Sequence, residues 1–262
     1  MSQLAVVPPV GDGPVHRSIV AVDVEGSTRR TNPAKGKLRR ILYDLLERAF
    51  KAAGIGPRHL EELADRGDGV LILIRPYDDV PKTVLFNRLI PALTSLLAEH
   101  NAAVAEPELR IRLRAVVHAG EVHDDGWGFY GDDIDVAFRL LEAPKVKRVL
   151  RDAPEAPLVL VVSEEIWSGI VRHGYVDGGP YQQRVQVKVG EQRRRGRVYL
   201  PVPARSDLPT LVPRARAPLA SGSRAMAALA GSAARATGSY RPHRPIPHHR
   251  EFHDREPGSP GR

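Results

Sequence analysis

The stretch Val20-Ala21-Val22-Asp23-Val24-Glu25-Gly26-Ser27-Thr28 decides how this chain is read. It is an apolar, β-branched run that ends on an aspartate and breaks into small, flexible residues, the pattern of a buried strand running into a turn. A second segment, Arg66-Gly67-Asp68-Gly69-Val70-Leu71, has the same parts in reverse, with an aspartate leading into an apolar strand. Asp and Gly favour turns in their own right, so either aspartate alone reads as a turn residue. Two carboxylates at strand ends, 45 positions apart, meet at one point if the strands are neighbours in a sheet. Such a pair suits Mg²⁺ held between carboxylates and the phosphates of a substrate.

Outward from these segments the elements alternate. Ser18 to Val24 reads as a buried strand. Lys37 to Ala53 reads as a helix, with Leu38, Ile41, Leu42, Leu45, Leu46, Ala49 and Phe50 on one stripe. His59 to Ala64 and Val70 to Ile74 read as a hairpin, and Lys82 to His100 as a second helix bent at Pro91. From Leu109 to His118 a strand is expected, with Leu109, Ile111, Leu113 and Ala115 on one face and Arg110, Arg112 and Arg114 on the other. A helix over Asp132–Leu141, strands over Leu158–Val162, Arg184–Val189 and Arg197–Leu200, and a helix over Glu164–Val171 complete the domain. The order β-α-β-β-α-β, followed by α-β-α-β-β, predicts an α+β fold: a ferredoxin-like core with a C-terminal extension.

The chain has 262 residues and no cysteine, which excludes disulfides, thiol nucleophiles and Cys-based zinc sites. Met1 to His16, with three prolines and two glycines, reads as a loose arm, residues 17–202 as the folded domain, and Pro203 to Arg262 as a disordered tail. Within the tail, Ser223–Ala236 is Ala-rich and reads as transiently helical. The tail holds ten arginines, no lysine and four acids, so most of the net charge of +8 belongs to it and the folded part is nearly neutral. Neither an apolar run long enough to span a bilayer nor a secretory leader is seen, so the expectation is a cytoplasmic protein with no membrane partner.

Three segments in order resemble the class III nucleotidyl cyclase catalytic domain, the family of adenylate and guanylate cyclases, in a divergent, actinobacterial-type form. They are Val22-Asp23-Val24-Glu25-Gly26-Ser27-Thr28, Gly67-Asp68-Gly69, and Arg114-Ala115-Val116-Val117-His118-Ala119-Gly120-Glu121-Val122, the last leading into Tyr130-Gly131-Asp132-Asp133-Ile134-Asp135-Val136-Ala137-Phe138-Arg139-Leu140. The resemblance implies cyclisation of a nucleoside triphosphate to a 3′,5′-cyclic nucleotide and pyrophosphate. It implies two Mg²⁺ or Mn²⁺ ions on Asp23 and Asp68 with the Val24 carbonyl as a further ligand. The amides of Glu25, Gly26, Ser27 and Thr28 would cradle the phosphates, helped by the dipole of a following helix. Arg139 would stabilise charge on the α-phosphate and Lys188 would bind the triphosphate. Because the family divides these groups between protomers, a homodimer is implied.

The chain departs from the pattern at three places. Asp135 stands where the family has an asparagine that orients the ribose, and an ionised Asp cannot donate. Ala64 and Gly128 stand at the base-reading positions, so the base is not specified. A catalytically degenerate cyclase fold, acting as a nucleotide-binding or dimerisation and signalling module, is therefore the alternative. Asp132 and Asp133 read as a favourable acidic helix start, His118 as a structural residue, and Trp127 and Tyr130 as packing rather than base-pocket residues. His243, His248, His249 and His253 lack supporting structure for a metal site. Nucleic-acid binding is expected only as a weak, salt-sensitive property of the tail.

Overall fold

The computed structural model describes residues 13–61, 63–176 and 183–203. Its chain order is β1 (Val15–Val24), α1 (Asn32–Ala53), β2 (Ala64–Asp65), β3 (Gly69–Ile74), α2 (Ile90–Ala103), β4 (Leu113–Asp124), β5 (Phe129–Tyr130), α3 (Asp132–Leu141), α4 (Pro144–Asp152), β6 (Leu158–Ser163), α5 (Glu164–Gly169), β7 (Gln183–Val189) and β8 (Gln192–Tyr199). The eight strands form one sheet in the order β2-β3-β1-β4-β6-β8-β7, with β5 paired to β4. β1 lies antiparallel to both β3 and β4, and β2 antiparallel to β3. That is the ferredoxin-like arrangement, which β6 extends by pairing parallel to β4.

The apolar strands form continuous runs because both sheet faces are covered. Val20, Val22, Ile72, Ala115 and Val117 pack with the stripes of α1 and α2. Ile19, Ala21, Leu71, Val116 and Val161 pack with α3 and α4 on the other face. α3 is strongly amphipathic, burying Ile134, Val136, Ala137, Leu140 and Leu141.

Several boundaries move for physical reasons. α1 starts five residues before the expected Lys37: the Thr31 hydroxyl accepts from the Ala34 amide and Pro33 sits in the first turn, where its missing N–H costs nothing. β1 begins at Val15, so Val15 and His16 of the expected arm pair with Val122 and Glu121. The expected His59–Ala64 strand shrinks to the two residues of β2 plus a bridge from Leu60 to Ile74. The expected second helix is present as one helical run from Thr83 to Ala103. Next to Pro91, which lies in the first turn of α2, Leu85–Leu89 widens into a π-type turn in which the Ile90 amide reaches the Leu85 carbonyl. Leu109 falls in a short 3₁₀ turn, and β4 runs on to Asp124. α4 was not anticipated, although Pro144 and the Val146/Leu150 spacing mark it. Residues 1–12 and 204–262, which hold most of the expected arm, nearly all of the tail, Ser223–Ala236 and the four tail histidines, lie outside the described residues.

Candidate functional site

Antiparallel pairing sets Asp23, at the end of β1, opposite Gly69, at the start of β3. Asp68 therefore arrives beside Asp23, and the Val24 amide donates to the Asp68 carbonyl at 3.0 Å. The strands approach so closely that a Cβ on Gly69 would lie 2.5 Å from the Val22 carbonyl oxygen. Only glycine permits this approach. The Asp-Gly pair is thus what brings the two carboxylates together.

Asp23 is 8% exposed. Burial pushes its carboxyl above the ordinary range, the Arg114 guanidinium pulls it back, and the negative charges of Asp68 and Glu142 push it the same way as burial. Arg114 is the β4 residue opposite Asp23; it donates to the Asp23 carboxylate and also reaches Glu142 Oε1 at 3.1 Å. Lys147 pairs with Glu142 in turn. Sequence reasoning placed Arg114 on the right face of its strand but gave it no part in the site.

Asp68 accepts a hydrogen bond from the Ser27 hydroxyl. The turn carrying Ser27 is built on Gly26, whose φ of 66° is left-handed, and is held by Arg30. That side chain donates to the carbonyls of Glu25 (2.7 Å), Arg110 (2.9 Å) and Glu108 (3.1 Å). Two expectations for this turn are narrowed. The Glu25 amide is spent on the Arg112 carbonyl at 2.9 Å, leaving those of Gly26, Ser27 and Thr28 as the phosphate-facing candidates. Only a single 3₁₀ turn, Ser27–Arg29, follows directly; α1 starts at Asn32. A helix dipole, which acts within the terminal turn, therefore contributes little here.

A cavity of about 360 Å³ lies between this turn and α1, bounded by Val24, Ser27, Thr28, Lys35, Arg39 and Asp68. Lys35 and Arg39 give it positive charge that sequence reasoning missed; both fall just outside the apolar stripe of α1. Arg39 is also tied to Asp65, Nη1 to Oδ1 at 2.9 Å, and to the Gly67 carbonyl. Asp65 accepts from the Gly67 amide (2.7 Å) and the Tyr43 hydroxyl (3.0 Å). These partners, Arg39 first, hold its carboxyl far below the usual range. Asp65 thus clamps the β2–β3 turn beside Ala64.

Asp135 and Arg139 lie one turn apart on the exposed face of α3. Neither is hydrogen-bonded or ion-paired to another described residue, so the single chain does not bring them onto the two aspartates. Their neighbour Phe138 lies under the Arg66 guanidinium, 5.0 Å from ring centre to carbon. Lys188 is on the edge strand β7, paired with Glu191 at 3.1 Å. Four strand spacings, about 19 Å, separate β7 from β1, so Lys188 is remote from Asp23 of its own chain.

His118 is fully buried, with Nδ1 2.7 Å from Ser163 Oγ and Nε2 3.1 Å from Asp133 Oδ1. Asp133 also accepts from the Glu121 amide at 2.7 Å. Its carboxylate occupies the space a Cβ on Gly120 would fill, 2.0 Å from Oδ2. His118 is therefore a structural lock joining β4, α3 and β6. Asp133 is part of that lock as well as an acidic residue at the start of α3. Trp127 is 97% exposed and Tyr130, stacked on His123, is 52% exposed. Among the described residues Trp127 packs on nothing, contrary to expectation.

No family model matches the chain, and no curated protein matches it. Among solved structures it is similar to the guanylyl cyclase Cya2, at 15% identity and a TM-score of 0.49 over 72% of this chain and 93% of that one. It is similar to an adenylate/guanylate cyclase/hydrolase from Silicibacter pomeroyi, at 18% identity and 0.47 over 72% and 98%. A third is the adenylyl cyclase CyaB from P. aeruginosa, at 15% identity and 0.44 over 75% and 99%. The strand order and register establish the fold.

Proposed function

We propose that the chain is a class III-type nucleotidyl cyclase that converts a nucleoside triphosphate to a 3′,5′-cyclic nucleotide and pyrophosphate as a homodimer. The observation that supports the reading is the pairing of Asp23 with Gly69, which makes Asp23 and Asp68 neighbours next to a cavity lined by Lys35 and Arg39 together with Leu38 and Leu42.

The residues fit Mg²⁺ or Mn²⁺. Burial first, and the charge of Asp68 in smaller part, raise the Asp23 carboxyl, and a divalent cation would offset both. Arg114 has a second partner in Glu142 and can release Asp23 without being left unpaired in the interior. Among the described residues no group of three or more Asp, Glu or His side chains is poised around an ion. Water and substrate phosphates would complete the coordination, as hard cations of this kind require. Asp23 and Asp68, with the Val24 carbonyl, would hold two ions, which when bound acidify the ribose 3′-hydroxyl and neutralise the leaving pyrophosphate. The amides of Gly26, Ser27 and Thr28, with Lys35, would bind the phosphates. Arg139 and Lys188 would act on the site of the partner subunit, since both are exposed and neither reaches the aspartates of its own chain. The fully exposed Trp127 is a candidate for burial in the dimer.

A second reading, a degenerate cyclase fold that binds nucleotide without turning it over, is favoured by Asp135. With Asp132 it puts two exposed carboxylates on α3, where a triphosphate would need a donor. Turnover of ATP, GTP, CTP and UTP with Mn²⁺, against an Asp23→Ala/Asp68→Ala control, separates the two. Cyclic product lost in the control supports the enzyme. Nucleotide binding without product from any of the four supports the module.

A further inference from the structure

The β7–β8 hairpin carries charge that the near neutrality of the folded part conceals. Between Gln183 and Pro203 stand six cations and one acid. The pairing sets Arg184 opposite Arg197, Gln186 opposite Arg195 and Lys188 opposite Arg193. Directly opposed residues of an antiparallel pair share a face, so five cations line one face of a two-stranded ribbon. The other face, with Val185, Val187 and Val189, packs on the α3 side of the sheet. β6 pairs with β8 only from Gly196 to Tyr199. The ribbon from Gln186 to Arg195 therefore runs past the end of β6 and closes in a two-residue turn, Gly190-Glu191.

Among the described residues little neutralises this face. Arg184, Arg193 and Arg195 are exposed and make no hydrogen bond or ion pair with another described residue. Arg197 lies over the Trp167 ring at 4.0 Å from its centre, and Lys188 has only Glu191. At the base of the ribbon a cavity of about 420 Å³ is lined by Arg184, Arg195, Arg197, Gln186 and a single acid, Glu164. On the opposite side of the β7 edge, Arg184 also lines a cavity of about 350 Å³ with Lys145 and Arg148 of α4. The positive surface thus continues around the edge of the sheet.

Charged side chains guard a free sheet edge against aggregation. Two directly opposed like-charge pairs go beyond that and cost stability, a cost offset when an anion lies across them. Along β8 the cations recur every second residue, about 6.5 Å, which suits a regularly spaced row of anions. Four of the five are arginine, whose planar fork binds phosphate in two-point fashion. The projecting part of the face, from Gln186 to Arg195, has no apolar or aromatic side chain to insert into a bilayer, as a membrane-surface element needs. A projecting two-stranded ribbon also has the width to enter a nucleic-acid groove. We propose that the β7–β8 ribbon, through Arg184, Arg193, Arg195 and Arg197, binds the phosphate backbone of a nucleic acid without reading its bases, at a surface remote from the two-aspartate site of its own chain and with residues that are not those of the C-terminal tail.

The test is fluorescence anisotropy with the full-length chain and labelled oligonucleotides, a single-stranded RNA and a duplex DNA, across about 50–200 mM salt. Replacing Arg184, Arg193 and Arg195 together by Gln should weaken binding about tenfold or more and lower the salt slope by about 2. Replacing the same three by Lys should retain most of the binding. Melting curves check that the Gln variant folds, and removal of opposed charges should leave its Tm unchanged or raised. Unchanged affinity in the Gln variant, with loss in a tail variant (Arg241→Gln/Arg244→Gln/Arg250→Gln), would overturn the proposal. So would co-sedimentation of the wild-type chain with phosphatidylserine vesicles without binding to either oligonucleotide.

Discussion

Asp23 and Arg114 face each other across β1 and β4, and the guanidinium holds the carboxylate that is the centre of the candidate site. Arg114 is the counterion of Asp23. Its removal leaves the nearly buried Asp23 carboxylate without its counterion, beside the negative charges of Asp68 and Glu142. Arg114→Ala should cost about 3 kcal/mol of folding stability, measured by urea denaturation. A loss within about 0.5 kcal/mol, the range of ordinary surface substitutions, would show that the pair does not hold the strands.

The raised Asp23 carboxyl has a signed consequence for pH. Its folded pKa lies above its unfolded value near 3.8. Its contribution to stability is therefore full below the unfolded value and is lost as pH rises through the folded one. In melts from pH 7 down to about 4, the wild-type chain should gain on an Asp23→Asn variant. A constant gap between the two curves would contradict the burial argument. Asp65 has the opposite sign: its depressed carboxyl contributes above the unfolded value and loses that contribution as pH falls through the folded one.

A Cβ at Gly69 has nowhere to go but into the Val22 carbonyl. Gly69→Ala should therefore cost about 2–4 kcal/mol and part β1 from β3. Mn²⁺ should raise the Tm of the wild-type chain, by about 2.7 kcal/mol of linkage at a hundredfold excess over Kd. It should not raise that of Asp23→Ala/Asp68→Ala. Retention of the metal-dependent rise in Gly69→Ala would show that the close approach is not needed to align the carboxylates.

If Asp135 is all that limits turnover, Asp135→Asn restores a donor on α3 and should raise cyclic nucleotide formation by about 10²–10³. The rise should appear in kcat more than in KM, because the donor orients the ribose during reaction. Arg139→Ala should abolish the gain.

His118→Ala should cost about 2–3 kcal/mol, since it empties a fully buried position and takes the ring partner from the buried Ser163 and the half-buried Asp133. Gly120→Ala should cost at least as much, because its Cβ displaces the Asp133 carboxylate. Paired with Asp133→Ala, the second loss should shrink, which a double-mutant cycle measures.

The parts of the fold legible in the sequence were those whose periodicity was complete in itself. The stripe of α1, the apolar run of β1 and the Asp132–Leu141 helix emerged with the right type and nearly the right bounds. What escaped reading depended on partners remote in sequence. α4 buries few residues, and its last turn is held by Arg112, which donates to the carbonyls of Leu150, Ala153 and Ala156. Arg193–Arg195 read as a loop because a strand of opposed cations contradicts strand propensity, and only the register with β7 gives it shape. In the site the two aspartates could be read from their Asp-turn settings. Arg114, Arg30 and Lys35 could not, because an arginine or lysine on a regular element carries no local mark of what it reaches.

The chain has two tryptophans, and they stand in contrasting surroundings: Trp127 is 97% exposed, while Trp167 lies under Arg197 at the foot of the cationic ribbon. The protein thus carries two intrinsic optical reporters. A water-facing indole emits at long wavelength and shifts to the blue when a second protein surface covers it. The indole beneath a guanidinium responds when that cation is drawn toward a polyanion. With each replaced in turn by phenylalanine, subunit docking and ribbon occupancy can be followed separately in unlabelled protein.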